Sequence, residues 1–227
     1  MPRRPRIGLG GIVFHVLNRA VGRAVLFRRA ADFARFENVI EEAVTRTSMR
    51  LLTYSIMPNH WHLVLWPEQD HSLSEFMRWV SVTHTQRWHA EHKTAGTGPL
   101  YQGRFKSFPV QQDRHFLTVC RYVEANALRA GLVKKAEDWQ WCALWRRVHG
   151  SAEQCRILST WPVDVGRTWV AHVNESLLSE DLDTLRRSVN RGVPHGKLAW
   201  QERTANSLGL GSSLRPRGRP RKEPREK

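Results

Sequence analysis

Two histidines one residue apart stand in Pro58-Asn59-His60-Trp61-His62-Leu63-Val64-Leu65. On a strand the side chains alternate between faces, so His60 and His62 project from the same one. Two imidazoles a few ångströms apart on a rigid strand make half of a divalent-metal site. Alone, the pair is better read as two exposed strand histidines. A second element converges on it. Arg121-Tyr122-Val123-Glu124-Ala125-Asn126 has helical spacing, and residues four apart share a face, so Tyr122 and Asn126 sit one turn apart. The opposite stripe is apolar (Phe116, Val119, Cys120, Val123, Ala127), which leaves His115, Thr118, Tyr122, Asn126 and Arg129 away from it. A tyrosine so placed reads, taken alone, as a surface residue with a polar tip.

The elements that position these residues follow from the same patterns. Gly10–Asn18 reads as a strand, and Asp32 caps a helix carrying Phe33, Phe36, Ile40 and Val44. Arg50–Met57 and His60–Trp66 are strands joined by a Pro58-Asn59 turn, which predicts a hairpin. A second helix opens at Ser72 or Ser74 and runs towards His92, with His84, His89 and His92 expected on its solvated or DNA-facing side. Arg104–Gln111 is a fourth strand that Pro109 assigns to an edge. A helix from Asp113 to about Leu128 ends at Gly131. The order β-α-β-β-α-β-α predicts an α+β, ferredoxin-like domain over residues 1–149, its sheet mainly antiparallel and its helices on one face. Residues 150–211 read as a helical C-terminal extension, with helices at Asp181–Asn190 and Lys197–Leu208, and 212–227 as a disordered basic tail.

Charge narrows the partner. The chain of 227 residues carries 36 Lys+Arg against 21 Asp+Glu, a net +15, which points to a polyanion. The last thirteen residues hold seven Lys/Arg and two Glu, so a third of the excess sits in the tail. Three scattered cysteines (Cys120, Cys142, Cys155) make no disulfide framework or cysteine zinc site and suit a reducing cytoplasm. No apolar run reaches the ~18 residues of a membrane span, and Ile7–Val13 is too short and glycine-rich for a signal-peptide core. No membrane partner is expected.

These segments together resemble the HUH single-tyrosine transposases, and most closely the REP-associated tyrosine transposases of bacteria. The resemblance rests on His15-Val16-Leu17-Asn18-Arg19, Met57-Pro58-Asn59-His60-Trp61-His62, Gln102-Gly103-Arg104-Phe105, Arg121 to Asn126 with Arg129-Ala130-Gly131-Leu132-Val133, and Arg191-Gly192-Val193-Pro194-His195-Gly196. It spans about residues 6–210. One departure is Ala127, where the family often has proline; its absence is expected to straighten the helix. The resemblance implies that His60, His62 and the Asn126 amide oxygen ligate Mg²⁺ or Mn²⁺, and that Tyr122 attacks a single-stranded DNA phosphodiester. The product would be a 5′-phosphotyrosine and a free 3′-hydroxyl.

A cation would neutralise charge on the phosphate, and the covalent link keeps the bond energy, so rejoining needs no ATP or other nucleotide cofactor. Imidazoles are soft company for Mg²⁺, so Mn²⁺ should serve at least as well. By the same resemblance, the substrate is a hairpin from repetitive extragenic palindromes, the protein acts as a monomer, and its location is the bacterial cytoplasm, at the nucleoid. Arg104, Lys106, Arg121 and Arg129 are candidate phosphate contacts. In the tail, Pro216-Arg217-Gly218-Arg219-Pro220 looks like an AT-hook core, with Arg217 and Arg219 suited to a narrow A·T minor groove. His115 is a candidate base for Tyr122. The competing reading is a transposase-derived protein that binds hairpin or AT-rich DNA without cutting it. A rolling-circle initiator would share the chemistry, but this length leaves no room for a helicase domain.

Overall fold

Four strands with almost unbroken apolar runs make the centre of the structure, a computed structural model that describes residues 8–215. They are β1 (Val13–Arg19), β2 (Met49–Met57), β3 (His60–Pro67) and β4 (Lys106–Val110), in the order β2-β3-β1-β4 with every neighbour antiparallel. The fold is α+β, and β3 lies between β1 and β2, so the β2–β3 hairpin reaches back to the first strand. Helices α1 (Ala30–Arg46) and α2 (Ser72–His92) follow β1 and β3, and α3 (Arg114–Glu124) follows β4.

The helices do not share one face, as the sequence pattern had suggested. Phe14, Val16, Tyr54, Trp61, Leu63 and Leu65 pack against Phe36 and Ile40 of α1 and Phe76 and Val80 of α2. Val13, Leu52, Val64, Phe108 and Val110 point the other way, against Phe116, Val119, Cys120 and Val123 of α3. Leu63 and Val64 are both fully buried. A strand covered on both faces reads as a continuous apolar run, and His-Trp-His-Leu-Val-Leu-Trp is one. The burial of both faces is what places α3, and Tyr122 with it, over the histidine side of β3.

Two boundaries also move. Asp32 is not the N-cap of α1 but sits one turn inside, its carboxylate accepting from the backbone N–H groups of Arg28 (3.0 Å) and Arg29 (2.9 Å). Asp113 does cap α3, accepting from His115 N at 2.9 Å. That helix stops at Glu124 rather than running on to Leu128. Ala125 (φ −80°, ψ 5°) breaks it, and α4 (Asn126–Arg129) follows before Gly131 (φ +69°) turns the chain. The break precedes Ala127, so the missing proline does not straighten this segment.

The extension is helical as expected, with α5 (Ala143–His149), α6 (Ala152–Cys155), α7 (Trp169–Asn174), α8 (Ser179–Arg191) and α9 (Leu198–Ser207). It bonds to both edges of the sheet. Ser159 N–H donates to Leu51 O (2.8 Å) on the β2 edge. On the β4 edge His195 N–H donates to Pro109 O (2.8 Å) and Gln111 N–H to His195 O (2.9 Å). Pro109 O points outward to His195, so its N does too, and the missing N–H takes no bond from the β1–β4 ladder. The start of the expected tail is ordered as α10 (Gly211–Leu214), with Ser213 buried. Arg217, Arg219 and the N-terminal Arg3-Arg4-Pro5-Arg6 lie outside the described residues. Among the described residues no helix is long and apolar enough to cross a membrane.

Candidate active site

On β3, the face that carries Val64 towards α3 continues through His62 and His60. Register sets their neighbours. Leu17 and Ser55 flank His62, and Arg19 and Met57 flank His60. The two imidazole centroids are 5.1 Å apart; His62 is buried and His60 half-buried. His60 Nδ1 lies 2.6 Å from Asn59 Oδ1 and donates to it, which leaves a lone pair on Nε2. That nitrogen faces the Asn126 amide nitrogen at 3.4 Å. Tyr122 meets His62 edge to face, with centroids 5.9 Å apart. Arg129 binds the group together: its guanidinium lies 4.1 Å over the Tyr122 ring, Nη1 donates to Tyr122 O (2.6 Å) and Nη2 to Asn126 Oδ1 (3.1 Å). The break at Ala125 thus separates Tyr122 on one helix from Asn126 on the next while both face β3.

Burial, aided by Arg19 and Arg129, lowers the His60 pKa to about 4. Burial, then His15, His60 and the same two arginines, hold His62 well below the usual histidine range. Both are therefore neutral at pH 7, the form in which imidazole ligates a metal. Among the described residues no three His, Cys, Asp or Glu side chains are grouped to share an ion, so any cation here must use oxygen beside the two imidazoles. Asn126 fits that need with one adjustment. Its Oδ1 is held by Arg129, and turning the amide would bring that oxygen to the position 3.4 Å from His60 Nε2. Two ligands of one ion at ~2.1 Å sit about 3 Å apart, so the His60–Asn126 pair fits a Mg²⁺- or Mn²⁺-sized cation, with His62 beside it on the same face.

The chain has three tyrosines. Tyr54 is buried and donates to the Glu37 carboxylate at 2.5 Å. Tyr101 is buried too, accepting from Trp61 Nε1 at 3.0 Å with His84 Nδ1 at 2.5 Å. Only Tyr122 keeps part of its side chain at the surface.

Arg104 and Lys106 are exposed, and Lys106 pairs with Leu17, which puts it on the histidine face of the sheet. Arg129 is exposed as well but engaged as described. Arg121 is a correction. It is 7% exposed, its Nη2 donates to the carbonyls of Glu175 (2.9 Å) and Ser176 (3.1 Å), and its Nε is buried, so it clamps the extension onto α3 instead of lying open on the surface. His84 is another correction. It stacks on Phe27 (5.4 Å) inside the α1–α2 core because α2 buries that side against α1. His89 and His92 remain near the surface. His115 is tied to Asp113 (2.7 Å), two turns and about 10.5 Å along the helix from Tyr122.

Two site residues were not assigned from sequence. Arg19 stands opposite His60 with its Nε buried and unpaired, and His15 Nε2 is 2.8 Å from His62 Nδ1. Their even spacing on β1 was the available signal, since residues 15, 17 and 19 share a face.

No curated protein matches the chain in sequence. Among solved structures, a REP-associated tyrosine transposase bound to a REP hairpin shares the fold, with a TM-score of 0.53 at 18% identity over 79% of this chain and 99% of that one. A putative transposase from Deinococcus radiodurans R1 aligns at 14% identity over 58% of this chain and 92% of that one, with a TM-score of 0.40. The family described as IS200-like transposases matches residues 10–126, a span that holds His60, His62, Tyr122 and Asn126. The chain belongs to the IS200-like transposase family.

Proposed function

We propose that the protein is a metal-dependent single-stranded DNA endonuclease and strand transferase acting on hairpin DNA. The observation that carries this reading is the placement of Tyr122, the one tyrosine not buried, 5.9 Å from His62. His60, His62 and the Asn126 oxygen would hold Mg²⁺ or Mn²⁺, and the cation, when bound, would neutralise charge on the scissile phosphate.

The chain's own groups do the rest. The Tyr122 oxygen forms a bond to phosphorus as the bond to the 3′ oxygen breaks; the phenol loses its proton and the departing 3′ oxygen gains one. The result is a 5′-phosphotyrosine, and attack by another 3′-hydroxyl reverses the step and joins a new strand. Arg129, over the Tyr122 ring, and Arg19, opposite His60, supply fixed positive charge at the same mouth. Arg104 and Lys106 extend that charge outward for the sequence-independent part of DNA binding. A folded hairpin is the substrate class favoured, because the structural relative with the same fold holds one.

The extension supports action as a monomer. Arg121 on α3 and Leu185 of α8 tie α3 to the extension, which favours a tyrosine and histidines drawn from one chain. The test incubates labelled single-stranded hairpins with protein and Mn²⁺ and resolves them on a denaturing gel. A shifted band that disappears with EDTA supports the reading. Tight binding with neither adduct nor cleavage, across hairpins and metals, would instead establish the non-catalytic DNA-binding reading.

A further inference from the structure

We propose that His15 is a positioning residue for His62: it accepts a hydrogen bond from His62 Nδ1–H and so fixes the tautomer whose Nε2 lone pair is left for a cation. The inference rests on the metal-centred reading above and adds a residue to it.

His15 lies on β1, fully buried, with Nε2 2.8 Å from His62 Nδ1 and ring centroids 5.0 Å apart. Phe108 packs on it at 4.7 Å and Tyr122 meets its edge at 6.4 Å. The rings are diagonal neighbours, since Leu17 faces His62 and Val64 faces His15, a separation that long side chains span. Both imidazoles are buried. Two imidazoles in contact through one nitrogen each share a single hydrogen across that contact, so two arrangements exist.

In the first, His62 Nδ1–H donates and His62 Nε2 has the lone pair. In the second, His15 Nε2–H donates, and His62 must carry its proton on Nε2, where it cannot ligate. Register favours the first. Along the strands His15 lies to one side of His62, while His60 and Arg19 lie to the other. A ring that turns Nδ1 to His15 turns its far edge towards the arginine-rich mouth, where a lone pair is favoured and an N–H is not.

The surroundings argue that this imidazole is kept for its nitrogen. His15 Nδ1 is buried without a partner, a desolvation cost that phenylalanine or leucine in the same space would avoid. The Arg191–Gly196 segment lies beside this ring pair on the β4 side. Its His195, whose backbone N–H donates to Pro109 O, stands 6.4 Å from Phe108, and its Nε2 is likewise buried and unpaired. That gives a sequence motif outside the 10–126 family match a place beside the site.

The test uses the full chain with His15→Phe and His15→Gln. Free Mn²⁺ is measured by electron paramagnetic resonance without DNA, and long-range ¹H–¹⁵N spectra of the metal-free protein report each imidazole's tautomer. The expected spectrum has the His62 proton on Nδ1. His15→Phe, which keeps the ring volume, should weaken Mn²⁺ binding roughly 10–100-fold. His15→Gln, whose amide oxygen can take the place of Nε2, should restore most of the affinity. A His62 proton on Nε2 in the parent overturns the proposal, and so does a His15→Phe protein that binds Mn²⁺ as the parent does. A parent that binds no Mn²⁺ refutes the metal-centred reading itself, and the His62 spectrum still decides whether the His15 bond exists. If His15→Phe fails to fold, the parent spectrum and the glutamine variant decide.

Discussion

Acid should unfold this protein through its buried histidines, and His84 isolates the effect because it sits away from the candidate site. It lies between α1 and α2, stacked on Phe27 and 2.5 Å from the Tyr101 hydroxyl. Burial first, then the nearby His92, lowers its pKa from 6.5 to about 3. The unfolded chain takes up a proton below 6.5 that the folded chain refuses. Stability from this group is therefore complete above pH 6.5 and is lost progressively as pH falls towards 3. At pH 5 one such histidine costs about 2 kcal/mol, from 1.5 pH units at 1.36 kcal/mol each.

His15, lowered to about 3, and His60 and His195, lowered to about 4, act in the same window. The total loss at pH 5 is thus of the order of a whole domain's stability. Asp32, lowered to about 2, loses its contribution as pH falls below about 4, beneath this window, and the other carboxylates are common to parent and variant. The assay is urea unfolding at pH 7.5, 6.5, 5.5 and 5.0 for parent and His84→Gln, whose amide can still meet the Tyr101 hydroxyl but does not titrate. The variant's stability should fall less steeply, by about one proton's worth between pH 6 and 5. Parallel curves would refute the placement of a neutral His84 in this core.

Further outcomes follow from the clamps on α3 and from the exposed cations beside the sheet. Glu124 is fully buried and accepts from Thr53 Oγ1 (2.6 Å), Arg147 Nη1 (2.7 Å) and Trp169 Nε1 (2.7 Å). Glu124→Ala strands those donors and should cost about 3–5 kcal/mol, a drop of roughly 6–20 °C in Tm by calorimetry; a change under about 2 °C would contradict it. Arg104→Ala and Lys106→Ala should each lower the salt dependence of hairpin binding by about one unit at unchanged Tm. Arg121→Ala should do the reverse, lowering Tm and leaving the salt slope alone.

Much of the site was legible because it depends on local spacing. His60 and His62 share a face by strand alternation alone, and helical spacing puts Tyr122 and Asn126 on one side, a relation that survives the break at Ala125. The turn at Pro58-Asn59, the cap at Asp113 and the edge position of Pro109 follow from chemistry within a few residues. What escaped depends on distant partners. Arg121 is basic and beside a tyrosine, yet Glu175 and Ser176 cover it, and nothing near residue 121 announces them. The break at Ala125 has no glycine or proline to mark it. His15 joins His62 only once the β1–β3 register is known, and a shift of one residue would put it on the other face. The extension escaped as a structural part because its bonds to β2 and β4 run through backbone atoms of irregular segments, which no side-chain pattern encodes.

The most direct test of the account is to find where DNA becomes attached. The hairpin adduct is digested with nuclease and then trypsin, and the nucleotide-bearing peptide is sequenced by mass spectrometry. Cleavage after Arg121 and Arg129 isolates Tyr-Val-Glu-Ala-Asn-Ala-Leu-Arg, which holds Tyr122 and no other tyrosine. The account predicts the remnant on Tyr122 of this peptide. A remnant on Tyr54, on Tyr101 or on a residue other than tyrosine would contradict it.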